Sequence, residues 1–516
     1  MKPIQYKRIA GVLLALLLSV SCLASCGNRL IAEESSADGA PVQDQSQTPT
    51  PEEVQPEAET EDAFAAFRQI DLGGQTVRAS VSNGLADAAG LSSYVYTAGP
   101  EELVGEACQD YVYERNLFAE DLLDCSLEYE GVNLIYNQVE AYVMKLVNSG
   151  DTSYNYLIND LLGFGAAAQK GFLLDMSDRS NFDEYYFDFD SGDYYTEFMH
   201  ALSAGPRVYF ASGDYFIDTL RASHGLYMNK NLYGRMYENP DGVYDLVLEG
   251  KWTLDKFYEI VDGAYIDANG SGAGDAGDTF GCAIATKSDL NSFWPFYYST
   301  DAGITEIGED GIPTLRPDAV ERMSFVAERL MKVQQSPGIW KTGSAAESLS
   351  FFADGGAIFG VFFKLGEMER EEFRNMDGVG VVPYPMADEN QDGYRTLVHD
   401  TAELGAILST VTGAPASAAS AVIQLMSAHA HRYLRPFYYE TALKQKYSQD
   451  QLTAQMLDII VDGIRAPFEF IYLNTYSYGP VQTSIQKNTD VVASSIASVN
   501  KMAGKILEKL VSALNP

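Results

Sequence analysis

Apolar and polar positions along the first third of the chain alternate between a period of two and a helical period. "QTVRASVS" at Gln75–Ser82 has the period of two that is typical of a strand. "EACQDYVYERNLFAEDLL" at Glu106–Leu123 has apolar residues at helical spacing, and "CSLEYEGVN" then predicts a strand. A helix ended by Gly150 and a strand at Tyr154–Asp160 continue the series. This alternation predicts an α/β architecture with a sheet built by crossover connections.

The remaining pattern predicts further helices and one clear strand. Thr253 is placed to cap the helix "TLDKFYEIVDGA", and Pro317 opens a long helix in "LRPDAVERMSFVAERLMKVQQ". "VGVVPYP" predicts a strand that Pro383 stops. The chain from Ala414 onward is predicted to be mostly helical.

The N-terminus has the order of a bacterial lipoprotein signal. Basic residues near Lys2 precede an apolar run, Ala10–Val20, of 11 residues, whereas a membrane-spanning helix needs about 20. The run leads into "LASCGN", which resembles a lipobox, so residues 1–25 are predicted to be a signal peptide and Cys26 the lipidated residue. The alternative is ordinary secretory cleavage beside an incidental cysteine.

Residues 26–63 are predicted to be a lipid anchor and a disordered acidic stalk. Ala32–Asp62 contains no Lys or Arg and few apolar residues, so it has too little to bury to offset its chain entropy. The remaining residues, 64–516, are too many for one compact core and predict two lobes.

Charge and cysteine content exclude several functions. The formal net charge is −37, which disfavours binding to nucleic acid. Beyond the signal and the anchor, Cys108, Cys125 and Cys282 remain, too few for a disulfide framework or a metal cluster. Cys108 and Cys125 either pair or, as we favour, are inert core thiols.

Ordered blocks between Gln75 and Pro480 resemble a known family. They include "YFASGDYFIDTLRASHGLYMNKNLYGR", "GKWTLDKF", "FFADGGAIFGVF" and "VGVVPYPMADENQDGY". They resemble the extracellular solute-binding proteins of bacterial ABC importers, family one, of carbohydrate type. One departure is "SGDYYTEF", where Tyr194 and Tyr195 stand in place of a Trp pair that is frequent in the family. The resemblance implies an α/β, two-lobe periplasmic-binding-protein-like (type II) hinged fold, with lobe 1 at about 72–182 plus 347–401 and lobe 2 at about 183–346 plus 402–516.

The resemblance also implies a function. We expect a monomeric, lipid-anchored binding protein on the extracellular face of the bacterial cell membrane, which captures a solute, an oligosaccharide, by lobe closure. Its partners would be that solute and the transmembrane subunits of an ABC permease, and no enzymatic activity or cofactor is required. The sequence has no H-E-x-x-H or G-x-S-x-G motif. The alternatives are a surface-tethered glycan hydrolase and a surface adhesion module.

Sugar sites combine flat aromatic rings with carboxylates and amides. "NSFWPFYYSTDAG" crowds aromatics into a polar segment, so Trp294 and Tyr297 are candidate ligand contacts, with packing in the core as the alternative. Further candidates come from loops that follow strands, where open α/β sheets bind ligands. Each of these residues could equally be a cap or turn residue; they are Ser82, Asn83, Asp160, Asp214, His399 and Asp400.

The Gly-rich stretch "IDANGSGAGDAGDTFG" has the spacing of a calcium-binding loop. Oxygen-bearing residues fall at positions one, three, five, nine and twelve, and a backbone carbonyl at seven. The predicted ligands of a structural Ca²⁺ are Asp267, Asn269, Ser271, Ala273, Asp275 and Asp278. An empty Gly-rich turn is the alternative.

Overall fold

A computed structural model describes residues 63–83, 94–272, 274–287, 290–439, 443, 451–465 and 467–516. All of these belong to the second of the two units into which the chain divides, Asp62–Pro516. The predicted signal peptide, Cys26, and stalk residues up to 62 lie outside the described residues. No helix in the described ranges is long and apolar enough to cross a membrane.

The described elements mix strands and helices up to β12 and are mainly helical afterwards. The strands are β1 (Gln75–Ser82), β2 (Cys125–Val132), β3 (Tyr156–Asp160), β4 (His224–Asn229), β5 (Phe280–Ala285), β6 (Thr305–Ile307), β7 (Pro313–Leu315), β8 (Ile339–Thr342), β9 (Ala357–Lys364), β10 (Val379–Val382), β11 (Thr396–Leu397), β12 (Glu403–Ala406) and β13 (Ile464–Arg465). The helices are α1 (Tyr94–Thr97), α2 (Ala107–Leu123), α3 (Tyr136–Ser149), α4 (Leu161–Ala168), α5 (Thr196–Ser203), α6 (Asp218–Arg221), α7 (Lys230–Tyr237), α8 (Gly242–Leu248), α9 (Leu254–Gly263), α10 (Trp294–Tyr298), α11 (Ala319–Gln335), α12 (Ala345–Ala353), α13 (Glu371–Asn375), α14 (Ala414–His429), α15 (Gln451–Asp462), α16 (Phe468–Tyr472), α17 (Asn474–Lys487) and α18 (Val492–Leu514).

Local sequence signals determine several of these boundaries. Gly150 ends α3 with a φ of 66°, a left-handed conformation that glycine adopts without steric cost. The Thr253 side chain accepts a hydrogen bond from the Lys256 amide and so caps α9, as predicted. Pro383 directly follows β10, also as predicted.

The first sheet has the strand order β12-β3-β1-β2. β1 runs parallel to β2 and to β3, whereas β12 is antiparallel to β3. The carboxyl ends of three strands therefore meet at one edge, and β12 starts at that same edge. Asp160, the last residue of β3, lies there opposite Glu403.

The second sheet has the strand order β10-β4-β9-β5-β8. β5 is parallel to β9 and β8, and β4 is antiparallel to β9. Consequently β4 begins at the edge where β5 and β9 end. His224, the first residue of β4, is paired in register with Lys364, the last residue of β9.

This topology corrects the predicted division of the chain at about 347–401. The prediction grouped those residues with the first sheet, but β9 pairs with β4 and β5, and β10 pairs with β4. It also assigned residues from 402 onward to the second lobe, whereas β12 belongs to the first sheet. Strand pairing over such long sequence separations leaves no local signal, because apolar strands suit either sheet.

Cys108, Cys125 and Cys282 are all buried and none of them forms a disulfide within the described residues, so the alternative of a Cys108–Cys125 disulfide is not formed. Burial raises the pKa of the Cys125 thiol to about 12, with help from the nearby carboxylates of Glu120 and Asp124. A thiol that stays protonated is a poor nucleophile and a poor metal ligand. Within the described residues the cysteines therefore act as core side chains.

Candidate functional site

The chain segment before β12 brings the two sheet edges together. Val398 forms an isolated bridge with Ser223, the residue that precedes β4. The His399 amide donates to the carbonyl oxygen of Ala222 over 3.0 Å. The carbonyl oxygen of Asp400 accepts a hydrogen bond from the Leu162 amide in α4 over 3.0 Å. Side chains at 399 and 400 therefore lie between the start of β4 and the end of β3.

Asp160 and Asp400 form a carboxylate pair at this position. Asp160 is 7% exposed, and its Oδ1 accepts from the Gly163 amide over 2.8 Å, which caps α4. Burial, together with repulsion from Asp400, raises the pKa of Asp160 to about 7. Asp400 lies beside His399, whose Nδ1 is 3.0 Å from Asp400 Oδ1.

His224 presents a nitrogen without a partner. The residue is 1% exposed, and its Nδ1 is 3.3 Å from the carbonyl oxygen of Phe363. A carbonyl can only accept, so Nδ1 carries the ring proton and Nε2 presents a lone pair. Burial lowers the pKa of His224 well below its usual value, and His399 and Lys364 lower it further, so the ring is neutral. Among the described residues, the buried Nε2 has no hydrogen-bond partner.

Phe362 is held in a bulge of β9. Gly225 pairs with Phe363 and Tyr227 with Gly360, so two residues of β9 stand opposite Leu226. Phe362 has a φ of 73°, the left-handed region that costs a residue with a Cβ about 1–2 kcal/mol. Bulges of this kind redirect a side chain, and here the ring lies 5.0 Å from the His224 ring and 5.5 Å from the His399 ring, between centroids.

Trp294 adds a second aromatic ring next to Phe362. It begins α10, shortly after β5, and is half-buried. Its ring is 6.3 Å from that of Phe362 and 5.2 Å from that of Phe470, in edge-to-face geometry. Its Nε1 donor is buried and has no partner within the described part of the chain.

We call this group the crossover site. Its members are linked by the contacts above and come from both sheets and from the segment between them. They are Asp160, His224, Trp294, Phe362, His399 and Asp400.

Four of the residues predicted to bind ligand thus lie in the crossover site, and the others do not. Ser82 and Asn83 lie at the end of β1, on the same edge of the first sheet as Asp160, and residues 84–93 that follow lie outside the described residues. Asp214 is buried elsewhere: its Oδ2 is 2.6 Å from His431 Nδ1 and 3.5 Å from the guanidinium of Arg435. Its carboxylate is therefore already paired within the protein.

Tyr297 requires a correction. It is 0% exposed, and its hydroxyl donates to the carbonyl oxygen of Ala302 over 3.1 Å and lies 3.0 Å from Ser477 Oγ. It is a core residue and cannot contact a solute in this conformation. Pro295 is the second residue of the short helix α10. In this helix Tyr297 is buried, whereas Trp294 remains half-buried.

The Gly-rich loop is folded and closed at its base by a bridge between Ile266 and Thr279. Asp267 accepts from the amides of Gly270 and Gly272 over 2.6 and 2.9 Å. Asp278 accepts from the Ala268 amide over 3.0 Å and from the Tyr265 hydroxyl over 3.1 Å.

The other predicted calcium ligands of this loop also bond to one another. Asn269 and Ser271 both donate to the Asp275 carboxylate, and Ala273 lies outside the described residues. No group of three or more His, Cys, Asp or Glu side chains in the described ranges is arranged to hold a metal ion. The loop oxygens are therefore engaged in hydrogen bonds within the loop.

His224 and Phe362 were not predicted from the sequence. A histidine at the head of the apolar strand "HGLYMN" was a usable signal, because strands that are buried on both faces seldom begin with a titratable residue. Phe362 had no such signal, since the bulge depends on the register between β4 and β9.

The Asp160→Asn variant should be more stable than the native protein at neutral and alkaline pH. A raised pKa in the folded state means that stability is lost as the pH rises from about 4, where the unfolded carboxyl ionises, through about 7. Asn keeps the helix cap but cannot ionise. We expect equal unfolding free energies near pH 3.5 and a gain of about 2–4 kcal/mol at pH 8, measured by urea unfolding.

Asp178→Asn is the matched control for this measurement. Asp178 caps a short 3₁₀ helix at the surface, and hydrogen bonds from Ser180 lower its pKa. Its replacement should reduce stability slightly at pH 8. Equal unfolding free energies of the native and Asp160→Asn proteins at pH 8 would contradict the raised pKa of Asp160.

No protein-family model and no curated protein matches the chain. Solved structures do match. The GacH receptor of Streptomyces glaucescens, solved unliganded and with acarbose, has 12% identity and a TM-score of 0.52 over 84% of this chain and 99% of its own. The uncharacterized protein lmo0859 of Listeria monocytogenes has 12% identity and a TM-score of 0.54, with the same coverage of both chains.

Likeness at this identity concerns the fold. It extends over nearly the whole length of both of those proteins and over most of this chain. The predicted resemblance to carbohydrate-type solute-binding proteins is thereby confirmed for the architecture. The chain has the mixed α/β, periplasmic-binding-protein-like fold that the sequence predicted.

Proposed function

We propose that the protein is the substrate-binding protein of an ABC transporter and captures a polyhydroxylated solute, an oligosaccharide, at the crossover site. The observation that carries this proposal is that two buried polar atoms, His224 Nε2 and Trp294 Nε1, have no partner within the described residues, while both rings lie near that of Phe362. Leaving such groups unpaired costs about 1–3 kcal/mol each. A solute that pairs with both recovers that free energy.

A sugar suits this arrangement because one hydroxyl can donate and accept. His224 Nε2 requires a donor and Trp294 Nε1 requires an acceptor. The C–H face of a sugar ring can also pack on the exposed part of Trp294. The S. glaucescens receptor with a similar fold has been solved with acarbose.

Capture requires no covalent chemistry. The crossover site takes residues from both sheets, so a solute bound there favours the arrangement in which the two sets are close. We propose that the sheets belong to two hinged lobes, that closure of a monomer follows solute binding, and that the permease recognises the closed form.

A surface-tethered glycan hydrolase is the second candidate, and one observation favours it. A carboxyl with a pKa near 7, Asp160, beside a second carboxyl, Asp400, resembles the acid and base of a glycosidase. Against it, Asp160 Oδ1 is engaged in capping α4. The hydrolase would release shorter sugars, whereas the binding protein would leave them intact.

We also propose that the protein is attached to the outer face of the bacterial membrane through Cys26. The support is the order of basic start, apolar run and "LASCGN" in the sequence, followed by the acidic stalk. Cys26→Ala should move the protein from the membrane fraction to the medium, as shown by fractionation and immunoblotting. A variant that remains with the membrane would contradict this anchor.

Calcium binding by the Gly-rich loop stays a prediction. The ion would have to replace hydrogen bonds that Asp267 and Asp278 now accept, so the affinity should be modest, about 10⁻⁴ M. Calorimetric titration of calcium into chelator-treated protein should give heat, and the melting temperature should rise. An absence of both would leave the loop as a Gly-rich turn.

The main proposal is tested by a thermal-shift screen of the purified protein over oligosaccharides, polyols, peptides and polyamines. We expect an oligosaccharide to raise the melting temperature without being cleaved. Trp294→Phe keeps an aromatic ring but removes the donor, so calorimetry should show about a tenfold loss of affinity.

Trp340→Phe is the matched control, since Trp340 is half-buried against Phe351, outside the crossover site. It should retain native affinity. A similar loss in both variants would assign the effect to general packing. Chromatographic detection of shorter sugars would favour the hydrolase, and a screen without any stabilising sugar would count against the proposed function.

A further inference from the structure

The carboxylates of Asp160 and Asp400 lie close enough to repel one another. No Lys or Arg in the described part of the chain forms an ion pair with either of them. Asp160 experiences the repulsion of Asp400 and burial, and no cation offsets these effects. The adjacent basic group is the imidazole of His399, which lies against Asp400.

Other acids of the protein show two ways of being satisfied. Asp301 receives both Arg316 and Arg395, with N–O distances of 2.9 Å each, and Glu369 receives Arg221 over 3.0 Å. The buried Asp278 and Glu469 have no such ion pair among the described residues and accept hydrogen bonds from hydroxyl groups. Asp160 and Asp400 have neither an arginine nor a lysine partner among the described residues.

A second observation points to a ligand that donates hydrogen bonds. His224 is 1% exposed and its Nε2 is an unpaired acceptor. Its Nδ1 edge faces the Phe363 carbonyl, so Nε2 lies on the opposite edge of the ring, and the ring centroid is 5.5 Å from that of His399, the neighbour of Asp400.

We propose that the solute carries a cationic amine on its hydroxylated scaffold, and that Asp160 and Asp400 bind that amine. An ammonium group has three donors and no acceptor. The site offers acceptors at the second oxygens of Asp160 and Asp400 and at His224 Nε2. This inference rests on the proposed function and narrows it to amino sugars or aminated oligosaccharides.

The test compares matched probes by calorimetry at pH 8, where an alkyl amine is protonated. The probes are maltotriose and cellotriose, their 6-amino-6-deoxy derivatives, and spermidine as a cation without hydroxyls. We expect at least one aminated trisaccharide to bind tenfold or more tightly than its parent. Asp160→Asn and Asp400→Asn should each reduce that preference to about twofold or less.

The control variant is Asp392→Asn, which removes the same charge from an exposed loop and should preserve the preference. Circular dichroism and melting curves will show whether each variant is folded. His224→Gln should weaken parent and aminated trisaccharides, since Nε2 accepts from a hydroxyl donor as well as from an ammonium donor.

The outcomes separate the inference from the function on which it rests. Parents that bind as tightly as their amines would overturn the inference and leave the proposed function intact. A preference that survives in both Asn variants would overturn the assignment of the two carboxylates. Binding of spermidine alone, or of no probe, would overturn the proposed function and the inference with it.

Discussion

The buried ion pair between Arg221 and Glu369 holds the two strands on which the crossover site depends. Both side chains are almost fully buried, with Arg221 Nε 3.0 Å from Glu369 Oε1. Two charges removed from water need further hydrogen bonds to offset their desolvation, and the Tyr96 and Tyr438 hydroxyls both donate to Glu369. Arg221 lies just before β4 and Glu369 just after β9. The pair therefore fixes the strand ends that carry His224 and Phe362.

With those ends fixed, the bulge of β9 becomes the determinant of site geometry. A Phe in the left-handed region is unfavourable by about 1–2 kcal/mol, and Phe362 persists there because the ladder on both sides is intact. The Tyr384 hydroxyl also accepts from the Phe362 amide over 2.9 Å. Backbone strain that the surroundings over-determine is a common feature of ligand sites. Here it holds one aromatic ring near those of His224 and Trp294, whose buried acceptor and donor have no partner among the described residues.

The sequence could predict those parts of the fold that depend on local chemistry. β1, the cap at Thr253 and the helical C-terminal region follow from periodicity and capping. Asp160 in the site followed from the rule that ligands meet strand ends. The sheet membership of β9 and the orientation of Tyr297 could not be predicted, because both depend on long-range pairing and packing. Phe362 belongs to the same class, since a one-residue slip in register would remove the bulge.

The charge of the site is best understood against the charge of the whole chain. A net charge of −37 attracts cations and repels anions at long range, within the limits of ionic screening. Recognition of an anionic solute would call for the planar guanidinium group of an arginine at the crossover site. Arg316 and Arg221 instead form ion pairs with Asp301 and Glu369. The crossover site instead contains two carboxylates, two imidazole rings and an indole, with the Lys364 ammonium group acting on His224. Under the proposed function, a site with this composition would disfavour phosphorylated or carboxylated sugars, in agreement with the long-range field of the chain.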